Sequence, residues 1–367
     1  MKSRFQLFRA ALLNAALPIA ALLIAVLALL PGLAVAQAPA EIRLVYPGVG
    51  VGNRPAAAGN AVATMHLRGM LEEEFQKDGI KITWSFLRGA GPAVNEAYAN
   101  GLADFSLLGD LPSIIGHAGG LKTRVLAGGT VRGNIYVSVP SDSNARTLAD
   151  LRGKKVAVTK GTATHLAIGK ILETFGLSER DVRLINMETN TATAAIVTGD
   201  IDAAVGGSQW LGLRDQGVSR VIFRTTGGDP RLTSNNAFIG REDFIRQYPE
   251  HTKRVVKTLL RAAKWLGDQD RNPEPVFQLW TRTGFTFASF KEDWANESLK
   301  YKISPLVDPY IVQRYTLQIE EAKRLGLTRS TFTFAEWVDT SFLEAALREL
   351  ALESYWQPRD AKDQPRG

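Results

Sequence analysis

No cysteine occurs among the 367 residues. That excludes disulfides, thiolate metal sites, a cysteine nucleophile and a lipid-modified N-terminal cysteine. Histidine is scarce, and His66, His117, His165 and His251 are too scattered for a histidine-rich metal centre. No cofactor or metal is expected. The chain also lacks a G-x-S-x-G elbow, a G-x-x-x-x-G-K-[ST] phosphate loop and an H-E-x-x-H helix. Glu72, Glu73 and Glu74 read as a solvated helical face rather than an acid/base pair. Gly48, Gly50 and Gly52 follow a strand, but no helix starts at the distance a dinucleotide loop needs. With no reactive constellation in view, a non-enzymatic protein is expected. Beyond residue 30 no apolar run reaches spanning length, yet 45% hydrophobic residues and 16 Phe suffice for a sizeable core.

What is present begins with an address. Lys2, Arg4 and Arg9 precede an apolar run over residues 10–30, followed by Pro31-Gly32 and the small triplet Ala34-Val35-Ala36. This is the anatomy of a secretory signal peptide spanning residues 1–36, with cleavage before Gln37 and a periplasmic destination. The run is also long enough to serve as an uncleaved anchor. Without those three cations the formal charge falls from +7 to +4, too mild for a nucleic-acid binder.

The remaining chain repeats itself. Residues 42–46 read as a strand, 60–76 as an amphipathic helix, 80–86 as a strand and 92–100 as a helix, closed by Gly101-Leu-Ala-Asp104 and a short buried strand. The order returns as strand 155–159, helix 164–175, strand 182–187 and helix 191–198, closed by Gly199-Asp-Ile-Asp202. Such alternation implies βαβ units with parallel sheets, in two α/β lobes. Crossovers are expected near residues 131–143 and 225–233. From residue 249 onward helices are expected at 251–270, 274–281, 290–300, 309–325 and 334–355, with a frayed tail after Pro358.

In parallel sheets ligands sit beyond the carboxyl ends of the strands, where helices begin. Helix N-termini offer free N–H groups and partial positive charge, which suits anions. Candidate loops are Gly59-Asn60, Gly89-Ala-Gly91-Pro92, Gly109-Asp110-Leu111-Pro112, Lys160-Gly161-Thr162-Ala163-Thr164-His165 and Asn190-Thr191. Each taken singly can be an ordinary cap or turn. Their shared position after strands of both lobes points to one cleft that holds a small oxyanion by neutral hydrogen bonds.

Three runs carry a family resemblance: Gly101 to Pro112, Leu148-Ala-Asp-Leu-Arg-Gly-Lys-Lys-Val-Ala-Val-Thr-Lys-Gly-Thr162, and Gly199-Asp-Ile-Asp-Ala-Ala. They are similar to the periplasmic substrate-binding proteins of ABC importers, in the branch that binds aliphatic sulfonates, taurine and nitrate. The resemblance covers residues 42–282. It implies an α/β, two-lobed type II periplasmic binding protein fold with two crossover strands and a C-terminal helical segment. Lobe 1 would comprise residues 37–138 and 232–357, lobe 2 residues 139–231, and 358–367 a flexible tail. The implied ligand positions are Asn60, Gly91, Pro92, Gly109, Asp110, Leu111, Gly161, Thr162, Ala163, Thr164, His165, Ser208, Gln209, Trp210 and Asn235. Gly207-Ser208-Gln209-Trp210 departs from the family's usual Trp-Asp-Pro segment, so Trp210 could line the pocket or pack behind it. The implied role is that of a monomer delivering a small organic anion, an alkanesulfonate first, to an ABC permease in the inner membrane. Taurine, aromatic sulfonates, nitrate or a nitrogen heterocycle remain open as ligands. An exported enzyme or a sensory module on the same fold remains the alternative class.

Overall fold

The computed structural model describes residues 38–57 and 59–365. The expected signal peptide and its cleavage point lie outside the described residues. No helix among them is long and apolar enough to cross a membrane.

Ten strands form two five-stranded sheets. The first is ordered β2-β1-β3-β10-β4, from β1 (Glu41–Pro47), β2 (Lys81–Leu87), β3 (Phe105–Gly109), β4 (Thr123–Gly128) and β10 (Asn236–Arg241). The second is ordered β7-β6-β8-β5-β9, from β5 (Tyr136–Pro140), β6 (Lys155–Val158), β7 (Arg183–Asn186), β8 (Ala203–Gly206) and β9 (Ser219–Arg224). The two orders superimpose, so the sequence repeat is a structural one. Neither sheet is purely parallel. β10 runs antiparallel to β3 and β4, and β5 antiparallel to β8 and β9. Each antiparallel strand is the one the chain reaches by crossing between the sheets.

The repeated G-x-x-D step has one physical job in both halves. Gly101 and Gly199 stand at φ +67° and +74°, a left-handed turn that glycine enters without a Cβ clash. Three residues on, the Asp104 N–H donates to the Arg43 carbonyl at 2.9 Å while its carboxylate accepts the Arg43 N–H at 2.8 Å. Asp202 makes the same pair with Lys155, at 2.9 and 2.8 Å. The aspartate thus sets the register of the third strand of each unit against the first.

Helices pack on both faces. They are α1 (Ala61–Leu67), α2 (Met70–Phe75), α3 (Ala90–Ala99), α4 (Asp110–Ala118), α5 (Ala163–Thr174), α6 (Thr189–Thr198) and α7 (Gln209–Asp215). The C-terminal segment adds α8 (Glu242–Gln247), α9 (Pro249–Asp268), α10 (Glu274–Trp280), α11 (Phe287–Asp293), α12 (Leu299–Lys302), α13 (Pro309–Arg324), α14 (Phe334–Trp337) and α15 (Ser341–Glu349). Three helices expected to be continuous are broken. Gly69 at φ +63° divides α1 from α2, Asn296 at φ +62° lies between α11 and α12, and residues 338–340 separate α14 from α15. Glu74 is not the solvated acid expected of it. It pairs with Arg254 at 2.8 Å and Arg261 at 2.6 Å.

β5 already belongs to the second sheet, so the first crossover precedes Tyr136, within the expected residues 131–143. The two crossovers lie side by side: Gly133 donates to the Ser234 carbonyl at 2.8 Å, and Ser234 donates back at 3.0 Å. Over residues 359–365 the tail is docked rather than frayed as expected. Arg359 is buried and its Nε donates to Asp308 Oδ2 at 2.6 Å, while the Tyr301 hydroxyl donates to the Asp363 carboxylate.

Candidate functional site

The carboxyl ends of β1, β3, β6 and β8 face a cavity of about 280 Å³ between the two sheets. Helix starts surround it. Asn60 caps α1, its Oδ1 accepting the Ala63 N–H at 2.8 Å, and its Nδ2 donates to the Tyr46 hydroxyl at 2.6 Å. The Tyr46 hydroxyl in turn donates to the Ala57 carbonyl. Burial pushes the Tyr46 phenol up to about 12, so it stays neutral. Ala90 and Gly91 bring in the start of α3, Gly109 the start of α4, Thr189 that of α6 and Gln209 that of α7.

The first turn of α5 is the most informative wall. Its earliest intrahelical bonds run from the His165 and Leu166 N–H groups to the Thr162 carbonyl, at 3.0 and 3.2 Å. The Ala163 and Thr164 N–H groups precede them and belong to the unpaired first turn. Both residues line the cavity. The Thr164, Thr189 and Gln209 side chains also line it and make no hydrogen bond among the described residues. Among the described residues no Lys, Arg, His, Asp or Glu lines the cavity. Its donors are neutral amides and hydroxyls, reinforced by partial helix charges.

Of the sequence-derived positions, Asn60, Gly91, Gly109, Thr162, Ala163, Thr164, Gln209 and Asn235 line this cavity, and the others do not. Pro92 and Gly161 meet at its edge, where a Cβ on Gly161 would stand 3.2 Å from Pro92 Cγ. Asp110 is buried and its carboxylate is occupied by the N–H groups of Leu111 and Asn235 and by Gln318 Nε2. Leu111 is a core residue. His165 is buried behind the loop, with Nδ1 accepting the Gly161 N–H at 3.1 Å and Nε2 at 3.3 Å from Glu179 Oε1. Trp210 packs behind the wall, fully buried among Tyr136, Ile196 and Leu211. Gly206 lets it do so, since a Cβ there would lie 2.7 Å from Trp210 Nε1. Ser208 stays outside the lining. The Thr162 hydroxyl donates to the Thr159 carbonyl at 2.6 Å and accepts the His165 N–H at 3.4 Å, so its proton is already committed to a cap.

Sequence reasoning missed Tyr46, Thr189 and Asn236, all in the lining. Tyr46 ends a strand and reads as core, and Asn236 opens a strand. Thr189 had a findable signal: Glu188 accepts the N–H groups of Asn190 and Thr191, an acidic cap that starts α6 two residues earlier than expected.

A model of the NMT1/THI5-like family matches residues 75–272. A Bacillus subtilis (strain 168) protein, provisionally named for binding aliphatic sulfonates, is 28% identical over 200 residues, 54% of this chain and 59% of its own length. The match therefore spans about three fifths of that relative. Among crystal structures, that of a Methylobacillus flagellatus KT periplasmic sulfonate-binding protein SsuA, also provisionally named, shares 29% identity and a TM-score of 0.71. It covers 87% of this chain and 97% of its own. The desulfurization enzyme DSZB shares the fold at 18% identity and a TM-score of 0.62, over 84% of this chain and 99% of its own. The architecture is accordingly the two-lobed periplasmic binding protein fold with a C-terminal helical segment. Since the family model extends over more than half of the residues, from α2 to the end of α9, the chain belongs to the NMT1/THI5-like family.

Proposed function

We propose that this is an exported solute-binding protein that captures a small organic anion, an alkanesulfonate, between its lobes and hands it to an ABC permease. The observation that carries the reading is the α5 turn. Two unpaired N–H groups and the free Thr164 hydroxyl face a cavity that has no formal charge but collects helix N-termini from both lobes. A volume of about 280 Å³ lies just below the usual range for ligand pockets, roughly 300–1,000 Å³, and suits a short-chain anion. The names of the Bacillus and Methylobacillus relatives favour a sulfonate. The absence of cysteine from the sequence, and His165 turned behind the loop, favour binding over catalysis.

Calorimetric titration with ethanesulfonate, taurine and nitrate tests the reading. Wild type should bind one sulfonate per chain without turnover. Thr164→Val removes a free hydroxyl at nearly constant shape, and should weaken binding roughly tenfold or more, as expected for a hydrogen bond to a charged group. Product formation, or sulfonate affinity indifferent to Thr164→Val, would refute it.

A further inference from the structure

A second recess, of about 600 Å³, lies between α5 and α13, with residues 229–232 of the second crossover as its third wall. It shares no lining residue with the cleft. Lys170 of α5 donates through Nζ to the Arg231 carbonyl at 2.6 Å, and Arg314 of α13 donates through Nη2 to the same oxygen at 3.4 Å. Two cations from opposite sides of the crossover therefore stand side by side, and neither makes an ion pair among the described residues.

Of the four acids that line the recess, Glu320 makes no ion pair among the described residues and the other three are engaged by arginines. Asp229 is held by Arg231 at 2.6 Å, and Arg324 takes both Glu173 at 2.9 Å and Glu321 at 2.6 Å. Arg314 is only 6% exposed and its Nε has no hydrogen-bond partner; neither has the buried Gln318 Oε1 on the next turn. A buried charge beside a like charge and without a direct ion-pair partner is costly, and the nearby carboxylates of Asp110, Asp229 and Glu321 act on Lys170 without pairing with it. Burial pulls the Lys170 ammonium down to about 8, with Asp110 opposing the shift and Arg314 adding to it.

We propose that the recess is a second anion site, in which a small inorganic oxyanion of the sulfate or phosphate class bridges Lys170 and Arg314 and ties α5 to α13. The Lys170 ammonium and the Arg314 guanidinium, both within reach of the Arg231 carbonyl, have remaining N–H donors that suit the oxygens of a tetrahedral anion. The site has a consequence for the cleft, because α5 presents Ala163 and Thr164 to the cleft and Lys170 to the recess. An anion held at Lys170 fixes the helix whose first turn lines the cleft. This inference does not depend on the cleft's ligand.

Selenate, an isostere of sulfate whose selenium scatters anomalously, is the probe. Crystals of the full chain soaked in selenate should show selenium within hydrogen-bond reach of Lys170 Nζ and Arg314. In solution, selenate should bind wild type and Thr164→Val alike at this site. Lys170→Met should raise its dissociation constant at least about tenfold and abolish the peak. Lys170 lies at the recess surface, so this variant keeps the test informative should Arg314→Met fail to fold. A peak only in the cleft, a peak here that survives Lys170→Met, or a peak with no binding in solution would each overturn the proposal.

Discussion

Gly109→Ala offers a test of lobe closure that leaves the chemistry of the cleft untouched. Gly109 has φ −60° and ψ 157°, values any residue adopts, so an alanine there introduces no backbone strain. Its methyl would stand 3.1 Å from Ala163 Cβ, on the first residue of α5 across the cleft. Carbon atoms in favourable contact sit about 3.5–4.0 Å apart, so the closed form must give way by several tenths of an ångström. Overpacking of this kind costs about 1–3 kcal/mol. The closed form bears that cost while an opened form does not. Ligand affinity should therefore fall roughly five- to a hundredfold, with little change in the melting temperature of the ligand-free protein. Calorimetric titration with whichever sulfonate binds wild type measures it. Ala163→Gly removes the opposing methyl, so the double variant should recover most of the lost affinity, a coupling of the kind double-mutant cycles resolve. If the double variant stays as weak as Gly109→Ala, the methyl acts by filling the cavity rather than by holding the lobes apart. Wild-type affinity in the single variant would refute the closure argument outright.

Two further outcomes follow from buried groups. Asp308 and Arg359 pair at 2.6 Å with 1% of each side chain exposed, so Asp308→Asn, which keeps the cap of α13, should cost about 3–5 kcal/mol in urea unfolding; a loss under about 1 kcal/mol would mean the tail is not docked. Burial raises the phenols of Tyr46 and Tyr310 to about 12 against about 10 in an unfolded chain, so their contribution is full below pH 10 and lost as pH rises from 10 to 12. Each should cost about 1.4 kcal/mol at pH 11, and unchanged unfolding free energy between pH 10 and pH 11 would contradict the burial of both rings. Lys170 works in the opposite sense between pH 8 and 10, which confines the expected fall to the range above pH 10.

The two-sheet plan was legible because the G-x-x-D step is a local device. Its glycine and aspartate sit three residues apart at the turn, so their spacing survives in the sequence even though the aspartate bonds the first strand of its unit, 61 residues earlier in one half and 47 in the other. The exchanged strands were not legible in the same way. β10 pairs with β3 and β4 across more than a hundred residues, and nothing in Asn236-Ala-Phe-Ile-Gly-Arg241 states whether it joins them parallel or antiparallel. The C-terminal helices failed for a related reason. Their apolar residues keep helical spacing through residues 334–355, but Ala351 takes φ +52°, a conformation that no residue type announces. Tail docking depends on Asp308, 51 residues from Arg359.

In the cleft, sequence reasoning found the loops and misjudged the side chains. A loop that starts a helix is written in Gly, Thr and Asn, whereas the direction of each side chain is decided by what packs behind it. Thr162 and Thr164 look equivalent on paper. Both line the cavity, but the Thr162 hydroxyl donates to the Thr159 carbonyl, whereas that of Thr164 makes no hydrogen bond among the described residues. Trp210 was divided between wall and core, and the tie is broken by Gly206, whose missing side chain leaves the indole a place behind the wall. The resulting cleft has no cation to hold any anion that arrives. It must discriminate by the placement of fixed N–H groups and hydroxyls, which rewards a ligand whose oxygens match them and rejects one whose oxygens leave buried donors unpaired. An added lysine at Thr189 would raise affinity for many anions together and erase that distinction. Lys170 and Arg314 of the α5–α13 recess are kept out of the cleft lining, and the same helix presents neutral donors to the cleft and a formal cation to the recess.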